Sequence, residues 1–289
     1  MANILTLQQA ATIIVAADSI LITAGAGIGV DSGLPDFRGQ QGFWKIHPQY
    51  AAAGLSFADL ANPIWFQNDP ARAWGFYGHR YQLYQQAIPH PDFAILKRWQ
   101  DNARHPGFLV TSNVDGQFQK AGFSDEQIYE YHGAIQYLQC TALCTDEIWE
   151  APDMQFDIDP QQLLAKGNLP LCRYCGELAR PNILMFGDGD WLSSRSDDQR
   201  QRFYAWKKAM ADKKIVTVEL GAGSPVGGIR CIGTSMPGTL IRINPREADG
   251  PQGTLSLAMG ALEALQEIDA AIQVLFFYFE RSLSRTQVN

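Results

Sequence analysis

The stretch ITAGAGIGVDSGLPDFRGQQGFWK, residues 22–45, follows an apolar run at residues 13–21 and contains most of the information about the fold. Gly25, Gly27 and Gly29 can approach a ligand closely and can adopt positive φ. Backbone N–H groups presented after a buried strand suit a diphosphate. The dinucleotide fingerprint G-x-G-x-x-G is not met, because Val30 stands where the third glycine belongs. The glycines alone therefore leave two interpretations open, a nucleotide loop and a tight turn.

The rest of the chain alternates between short apolar runs and helical patterns. Buried strands are predicted at residues 19–23, 107–111, 128–131, 183–186, 215–220 and 239–243. Helices are predicted at residues 6–17, 70–87, 194–211 and 255–265, with a further apolar helix after residue 268. This alternation predicts an α/β fold, a Rossmann-like parallel sheet with helices on both faces.

Two stretches interrupt that alternation. Residues 39–91 are helical and rich in Trp and Tyr, and residues 139–181 carry four of the five cysteines. We interpret them as insertions that form a smaller helical and zinc-binding domain. The predicted boundaries are residues 1–45, 92–138 and 182–289 for the nucleotide-binding domain, and residues 46–91 and 139–181 for the small domain.

The composition limits the classes of partner. In 289 residues, 46% are hydrophobic and 18% are charged, and the net charge is −7. An acidic chain is poorly suited to the phosphate backbone, so no nucleic-acid role is expected. The N-terminus lacks the pattern of a secretion signal, and no apolar run reaches the length of a membrane span, so a cytoplasmic protein without a membrane role is expected. The composition does not determine the oligomeric state.

The cysteines are grouped in a way that favours a metal. Cys140 and Cys144 form C-x3-C, and Cys172 and Cys175 form C-x2-C after a 27-residue gap. Four thiolates in two such pairs satisfy tetrahedral Zn²⁺ with no open position, so the predicted zinc is structural. Cys231 stands apart and is expected to be buried without a partner.

The loop GAGIGVDSGLPDFRG, residues 25–39, resembles the signature loop of the sirtuins, NAD-dependent protein deacylases. The resemblance implies that Gly25, Ala26 and Gly27 hold the diphosphate of NAD. It also implies that the segment Asp36, Phe37 and Arg38 covers the nicotinamide ribose. The loop departs from the family at Gly29, where Ser is usual, and at Ala24, where Thr is usual.

Two further stretches resemble sirtuin motifs near the nicotinamide end of NAD. TSNVDGQFQKAG, residues 111–122, places Asn113 and Asp115 where the family contacts NAD, with Ser112 in place of the usual Gln. In YEYHGAIQYLQC, residues 129–140, His132 matches the family's general base, and imidazole can remove a ribose hydroxyl proton near neutral pH. His132, Asn113 and Asp115 are therefore the predicted catalytic residues.

The resemblance continues towards the C-terminus. ARPNILMFGD, residues 179–188, is similar to the strand that flanks the acyl-peptide cleft, which implies that Phe186 and Gly187 bind substrate. ELGAGSPVGGIR, residues 219–230, and IRINPRE, residues 241–247, are similar to the segments that hold the rest of NAD. Further NAD contacts are thereby implied for Ser112, Gly221, Ala222, Gly223 and Asn244.

The first cysteine pair is one residue wider than in the family, so a distorted or absent metal remains the alternative to a structural zinc.

The helical insertion predicts an acyl preference. In AWGFYGHRYQLY, residues 73–84, Tyr77 and Arg80 are three residues apart on a predicted helix, so both can project from one face. The setting resembles the sirtuin class that removes malonyl, succinyl and glutaryl groups, in which Tyr and Arg bind the acyl carboxylate. A surface pair packed among aromatic residues is the alternative.

The function implied by the resemblance is deacylation of acyl-lysine in a protein or peptide, with NAD as cosubstrate. The acyl oxygen attacks the ribose as nicotinamide leaves, and His132 then removes a ribose hydroxyl proton. The products are free lysine, nicotinamide and O-acyl-ADP-ribose. Two alternatives remain open, ADP-ribosyl transfer or NAD hydrolysis on the same fold, and a non-enzymatic NAD sensor.

Overall fold

The computed structural model describes residues 4–35, 48–52, 54–224 and 226–286. The predicted NAD contacts Asp36, Phe37 and Arg38 lie outside these residues.

The centre of the molecule is a six-stranded sheet in which every pairing is parallel. Its strand order is β3-β2-β1-β9-β10-β11, so the strand order reverses between β1 and β9, as it does at the centre of a Rossmann sheet. The strands are β1 (Ser19–Ala24), β2 (Phe108–Thr111), β3 (Ile128–Glu130), β9 (Ile215–Leu220), β10 (Thr239–Ile243) and β11 (Leu255–Leu257). Because β1 and β9 are buried at every position and mostly apolar, the sheet must be covered on both faces.

Helices cover both faces, which confirms the predicted fold class. On one face lie α1 (Ile4–Val15), α6 (Pro91–Asn102) and α10 (Ala261–Thr286), which pack through residues such as Ile14, Leu96 and Ile268. On the other face lie α8 (Ser194–Ala209) and α9 (Gly228–Thr234), which pack through Phe203, Trp206 and Ile229. None of the helices within the described residues is long and apolar enough to cross a membrane.

A second layer of structure is formed by the two insertions. The first contains α2 (Pro48–Ala52), α3 (Phe57–Leu60), α4 (Ile64–Asn68) and α5 (Pro70–Gln86). The antiparallel strands are β4 (Gly133–Cys140), β5 (Trp149–Glu150), β6 (Asp157–Ile158), β7 (Ala165–Lys166) and β8 (Ala179–Ile183). A short helix, α7 (Gln117–Lys120), follows β2.

One hydrophobic cluster joins the helical and cysteine-bearing insertions. Trp74 and Tyr77 of α5 belong to the same buried cluster as Cys140, Leu163 and Cys172. The Trp74 indole Nε1 donates to the carbonyl oxygen of Ala179 at 3.0 Å, and its ring stacks on Phe156. The insertions therefore pack together beside the main sheet, while the domain boundaries drawn from the sequence stay a prediction.

Two predicted elements were misplaced. Residues 255–257 form strand β11 rather than the start of a helix, because Leu255 and Leu257 alternate with exposed Ser256 at the period of a strand. The predicted strand at residues 183–186 is also wrong, since β8 ends at Ile183. The run after it leaves the sheet, with Leu184 N–H donating to His132 O and Phe186 N–H donating to Ala61 O, both at 2.9 Å.

Candidate active site

A cleft of about 690 Å³ opens beside the carboxyl ends of the parallel strands. It lies where the strand order reverses, the place at which open α/β sheets bind ligands. The predicted site residues that line it are Gly25, Ala26, Tyr77, Arg80, Ser112, Asn113, Asp115, His132, Phe186, Ala222 and Gly223. Residues separated by almost 200 positions in the sequence thus meet in one cavity.

The glycine loop reaches the cleft through close contact between the ends of β1 and β9. A Cβ on Gly27 would lie 2.7 Å from the Gly221 Cα, and a Cβ on Gly25 would lie 2.8 Å from the Ala222 Cα. The Gly27 N–H donates to the Gly221 carbonyl oxygen at 3.1 Å. Only glycine allows this approach, which leaves the backbone on both sides of the strand ends facing the same cavity. Gly27 and Gly221 support the loop without lining the cleft themselves.

Asn113 is fixed between two strand ends. Its side-chain Nδ2 donates to the Gly25 carbonyl oxygen at 3.2 Å, and its backbone N–H donates to Thr111 Oγ1 at 3.0 Å. The Thr111 hydroxyl in turn donates to the Ala24 carbonyl oxygen at 3.0 Å. This network determines the position of Asn113 relative to the glycine loop.

Asp115 is a buried carboxylate on the wall of the cleft. One of its oxygens accepts a hydrogen bond from the Gln117 backbone N–H at 2.9 Å. Burial raises the pKa of Asp115 to about 6, against the opposing effect of that hydrogen bond. Its carboxyl group therefore titrates closer to neutral pH than an exposed aspartate does.

His132 follows β3 and is oriented by a turn that requires glycine at the next position. Gly133 has φ of +75°, and a Cβ there would lie 2.1 Å from the Asn182 carbonyl oxygen. Burial lowers the pKa of His132, while a hydrogen bond with the Ser112 backbone acts in the opposite direction. The imidazole is therefore mainly neutral at pH 7 and can act as a base.

Tyr77 and Arg80 do lie on one face of α5, and both are buried at the cleft. The Arg80 guanidinium donates to the Tyr84 hydroxyl from Nε at 3.1 Å and from Nη2 at 2.8 Å. It also lies 5.3 to 5.6 Å from the ring centroids of four aromatic side chains, Phe57, Phe76, Tyr77 and Tyr84. Among the described residues, the buried Tyr77 hydroxyl has no hydrogen-bond partner. A buried cation and an unpaired hydroxyl therefore meet at one end of the cleft.

The opposite wall is the segment after β8. Phe186 is exposed into the cleft, and its ring packs edge-on against Phe57 at 6.4 Å between centroids. Arg180 binds both oxygens of Asp188, at 2.9 and 2.8 Å, in a buried ion pair that fixes the turn at Gly187. Gly187 itself does not line the cleft, so its predicted contact with substrate stays a prediction.

Asn244 is engaged in holding the loop after β9. Its Nδ2 donates to the Ala222 carbonyl oxygen at 2.9 Å, and its Oδ1 accepts from the backbone N–H groups of Arg246 and Glu247, both at 3.0 Å. The side chain is buried and does not line the cleft. It positions Ala222 from behind, and the predicted contact with NAD stays a prediction.

Several residues of the cleft were not identified from the sequence. Tyr84 lies one helical turn after Arg80, so the i to i+4 spacing could have revealed it. Phe57 and Val226 carry no comparable signal, because they come from segments distant in sequence that only the fold brings together.

The four paired cysteines form one cluster in the insertion at residues 139–181. The Sγ atoms of Cys140 and Cys175 are 3.6 Å apart, as are those of Cys144 and Cys172, and all four lie within 4.8 Å of one another. Tetrahedral Zn²⁺ with bonds of about 2.3 Å requires sulfurs about 3.8 Å apart, whereas a disulfide requires about 2.05 Å. The cluster thus fits a structural zinc.

The wider first cysteine pair is accommodated by backbone conformation. Leu143, the extra residue, has φ of +50°, in the left-handed region that non-glycine residues seldom adopt. This turn lets the Cys144 sulfur join the other three sulfurs.

Cys231, in contrast, is exposed, so its predicted burial is wrong. It lies on short helix α9, whose buried positions are Ile229 and Gly233.

Comparison with known proteins agrees with this geometry. The Sir2 family model matches residues 25–216. An NAD-dependent protein deacylase of Aquifex aeolicus is 30% identical over 231 residues, which cover 79% of this chain and 84% of that protein. A probable bifunctional ADP-ribose hydrolase/ADP-ribosyltransferase of Fusarium oxysporum f. sp. cubense is 29% identical over 225 residues, covering 74% of this chain and 37% of that protein.

A solved structure shows the same fold. The complex of a Sir2 homologue S24A mutant with ADP-ribose superposes with a TM-score of 0.68 at 25% identity, and the match covers 93% of this chain and 97% of that one.

Proposed function

Because the chain belongs to the Sir2 family, we propose that it is an NAD-dependent deacylase that acts on acyl-lysine side chains of proteins or peptides. The observation that carries this proposal is the convergence of Asn113, Asp115 and His132 in the cleft beside the glycine loop. An NAD sensor would not require a base at that position.

The residues present fit NAD. The contact between Gly27 and Gly221 leaves no room for side chains at the strand ends, which frees the backbone of Ala26 and Ala222 to approach a diphosphate. Asn113 and Asp115 would hold the nicotinamide end, because they lie beyond the glycine loop along the same cleft. Ser112, shorter than the usual Gln, leaves more room for the ribose.

The chemistry divides between NAD and the chain. When bound, NAD supplies the nicotinamide–ribose bond whose cleavage exposes the carbon that the acyl oxygen attacks. With NAD bound, the His132 imidazole nitrogen that does not bond Ser112 would take a proton from a ribose hydroxyl. The apolar side chains of Phe57 and Phe186 line the cleft and would limit the access of water to the reacting atoms, so positioning would supply much of the rate. The test is nicotinamide release: it should require NAD and an acyl-peptide together, whereas equal release without the peptide would contradict deacylation.

The acyl group is proposed to be acidic, such as malonyl or succinyl. Arg80 is a buried cation at the cleft, and guanidinium groups match carboxylates with two parallel hydrogen bonds. The buried Tyr77 hydroxyl offers a further donor that a carboxylate would satisfy. An acetyl group would leave that hydroxyl without an acceptor. These two side chains support a preference for an acyl carboxylate.

Arg80→Met is expected to lower kcat/KM for a succinyl-lysine peptide about tenfold to a hundredfold, the cost of losing a charge-assisted hydrogen bond. Activity on the acetyl-lysine peptide should be retained or increased, which also shows that the variant folds. Arg72→Met is the matched control on the same helix, because Arg72 pairs with Asp69 outside the cleft. The proposal would be contradicted by a wild-type enzyme that prefers the acetyl-lysine peptide. It would also be contradicted if Arg80→Met left the ratio of kcat/KM for the succinyl-lysine peptide to kcat/KM for the acetyl-lysine peptide unchanged.

ADP-ribosyl transfer is the second candidate function. Gly29, Ser112, Ala222 and Gly223 depart from the residues usual in the family around NAD. The resemblance to a probable bifunctional ADP-ribosyltransferase also favours it. Transfer would appear as a mass increase of a protein acceptor, without consumption of an acyl-peptide.

A further inference from the structure

A second group of ligating side chains lies outside the cleft. Asp31 is in the 3-10 helix Ala26–Ser32 that continues the glycine loop, and His90 and Asp92 are at the start of α6. A carboxylate oxygen from each acid and a ring nitrogen of His90 all lie within 4.8 Å of one another. The cluster therefore joins the cofactor loop to the neighbouring helix.

His90 is held in one orientation by the glycine loop. Its Nε2 is 2.8 Å from the carbonyl oxygen of Ile28, which can only accept, so Nε2 carries the proton. The lone pair of neutral His90 is then on Nδ1, 3.4 Å from an oxygen of Asp92. Histidines that bind metals usually donate their second ring N–H to a carbonyl or carboxylate in this way.

Asp92 is a buried carboxylate whose nearby ionisable group, His90, lies at a long ion-pair distance of 3.4 Å. Its side chain is fully buried, and neither oxygen has a hydrogen-bond partner within the described residues. The Asp92 backbone N–H donates to the same nitrogen, His90 Nδ1, at a long 3.4 Å. Buried carboxylates are normally paired or bound to a metal, because leaving one unpaired is costly.

Asp31 gives the cluster an exposed side. One of its oxygens, Oδ2, accepts from the Leu262 backbone N–H at 3.2 Å, and its other oxygen has no hydrogen-bond partner among the residues that the structure describes. Two ligands on opposite sides of an ion bound at about 2.1 Å lie about 4.2 Å apart, so an ion at this site would require the exposed Asp31 side chain to lie slightly closer to the other two.

We propose that Asp31, His90 and Asp92 form a binding site for a divalent cation that takes nitrogen and oxygen ligands, such as Mn²⁺ or Zn²⁺. Two carboxylates and an imidazole match the ligand preferences of these ions. The ion would neutralise Asp92 and link the 3-10 helix after the glycine loop to α6. It would thereby stabilise the folded chain through residues that are separate from the cleft and from the cysteine cluster.

The test is a titration of the zinc-loaded protein with Mn²⁺, followed by loss of the electron paramagnetic resonance signal of free Mn²⁺. Mn²⁺ favours oxygen and nitrogen over thiolates, so the occupied cysteine cluster does not compete. One Mn²⁺ per chain is expected, and Asp31→Asn and Asp92→Asn should each weaken binding at least about tenfold. The matched control is Asp101→Asn, at the other end of α6 and paired with Lys97, which should bind as the wild type does.

Thermal unfolding gives a second readout. Mn²⁺ should raise the Tm of the wild type and of Asp101→Asn, but not that of Asp31→Asn, because a ligand stabilises only the state that binds it. Asp31→Asn keeps an oxygen acceptor for Leu262, so this variant is expected to fold even if Asp92→Asn does not. Absence of Mn²⁺ binding to the wild type, or binding that Asp31→Asn leaves unchanged, would overturn the proposal.

Discussion

Replacing His132 with alanine is expected to lower kcat for deacylation about 10²- to 10⁴-fold, the usual contribution of a general base. The fold and the affinity for NAD should change little, because the turn at this position depends on Gly133 and on the His132 backbone carbonyl rather than on the imidazole. The measurement is the rate of acyl-peptide consumption at saturating NAD, with NAD affinity determined separately by calorimetry.

The pH dependence of deacylation should include the titration of His132. Burial places the pKa of His132 below its ordinary value of 6.5, so the neutral base is lost only as the pH falls through that lower range. Deacylation by the wild type should accordingly be retained at neutral pH and lost as the pH falls below 6.5, and protonation of Asp115, whose pKa is about 6, should add to that loss. The matched control is His105→Ala, since His105 lies outside the cleft. Retention of most turnover in His132→Ala would remove His132 from the mechanism.

Replacing Cys172 with serine is expected to abolish stoichiometric zinc binding and to unfold the cysteine-bearing insertion. Metal binding is coupled to folding in small zinc modules, where it contributes on the order of 10 kcal/mol. Cys172 is buried in the same hydrophobic cluster as Trp74 and Tyr77, so the loss should extend to the helical insertion. Zinc content by elemental analysis and Trp fluorescence during thermal unfolding measure the two effects.

Cys231→Ser is the control for this experiment, because Cys231 is exposed on α9 and is not part of the cluster. The wild type and this control should each contain close to one zinc per chain. A wild-type protein without zinc, with four thiols that react freely in the native state, would contradict a structural zinc site.

The sequence was most informative where the backbone itself makes the site. Gly25 and Gly27 directly follow a buried strand, and this context made a ligand loop one of two interpretations until the resemblance of residues 25–39 favoured it. The partner of that loop, Gly221, could be placed beside it only through the resemblance, because the 3.1 Å hydrogen bond from the Gly27 N–H to the Gly221 carbonyl oxygen joins segments almost 200 residues apart. Local patterns report on one chain segment, whereas this contact depends on the strand order.

The two elements that were wrongly predicted from the sequence also depend on contacts between segments that are distant in the chain. The Leu255 to Leu257 alternation is only three residues long, so a following helix dominates the pattern until the neighbouring strand β10 is known. Apolar residues 183–186 suit a strand by composition, but they form the wall of a cleft instead. Asp31, His90 and Asp92 gave no signal as a group, because Asp31 is almost 60 residues before the other two.

The most direct test of the proposed function is mass spectrometry of the products formed from NAD and an acyl-lysine peptide. The wild type is expected to form equal amounts of nicotinamide, deacylated peptide and O-acyl-ADP-ribose, and His132→Ala is expected to form almost none of them. Free ADP-ribose or ADP-ribosylated protein without deacylated peptide, or no turnover with any acyl group, would contradict the proposed function.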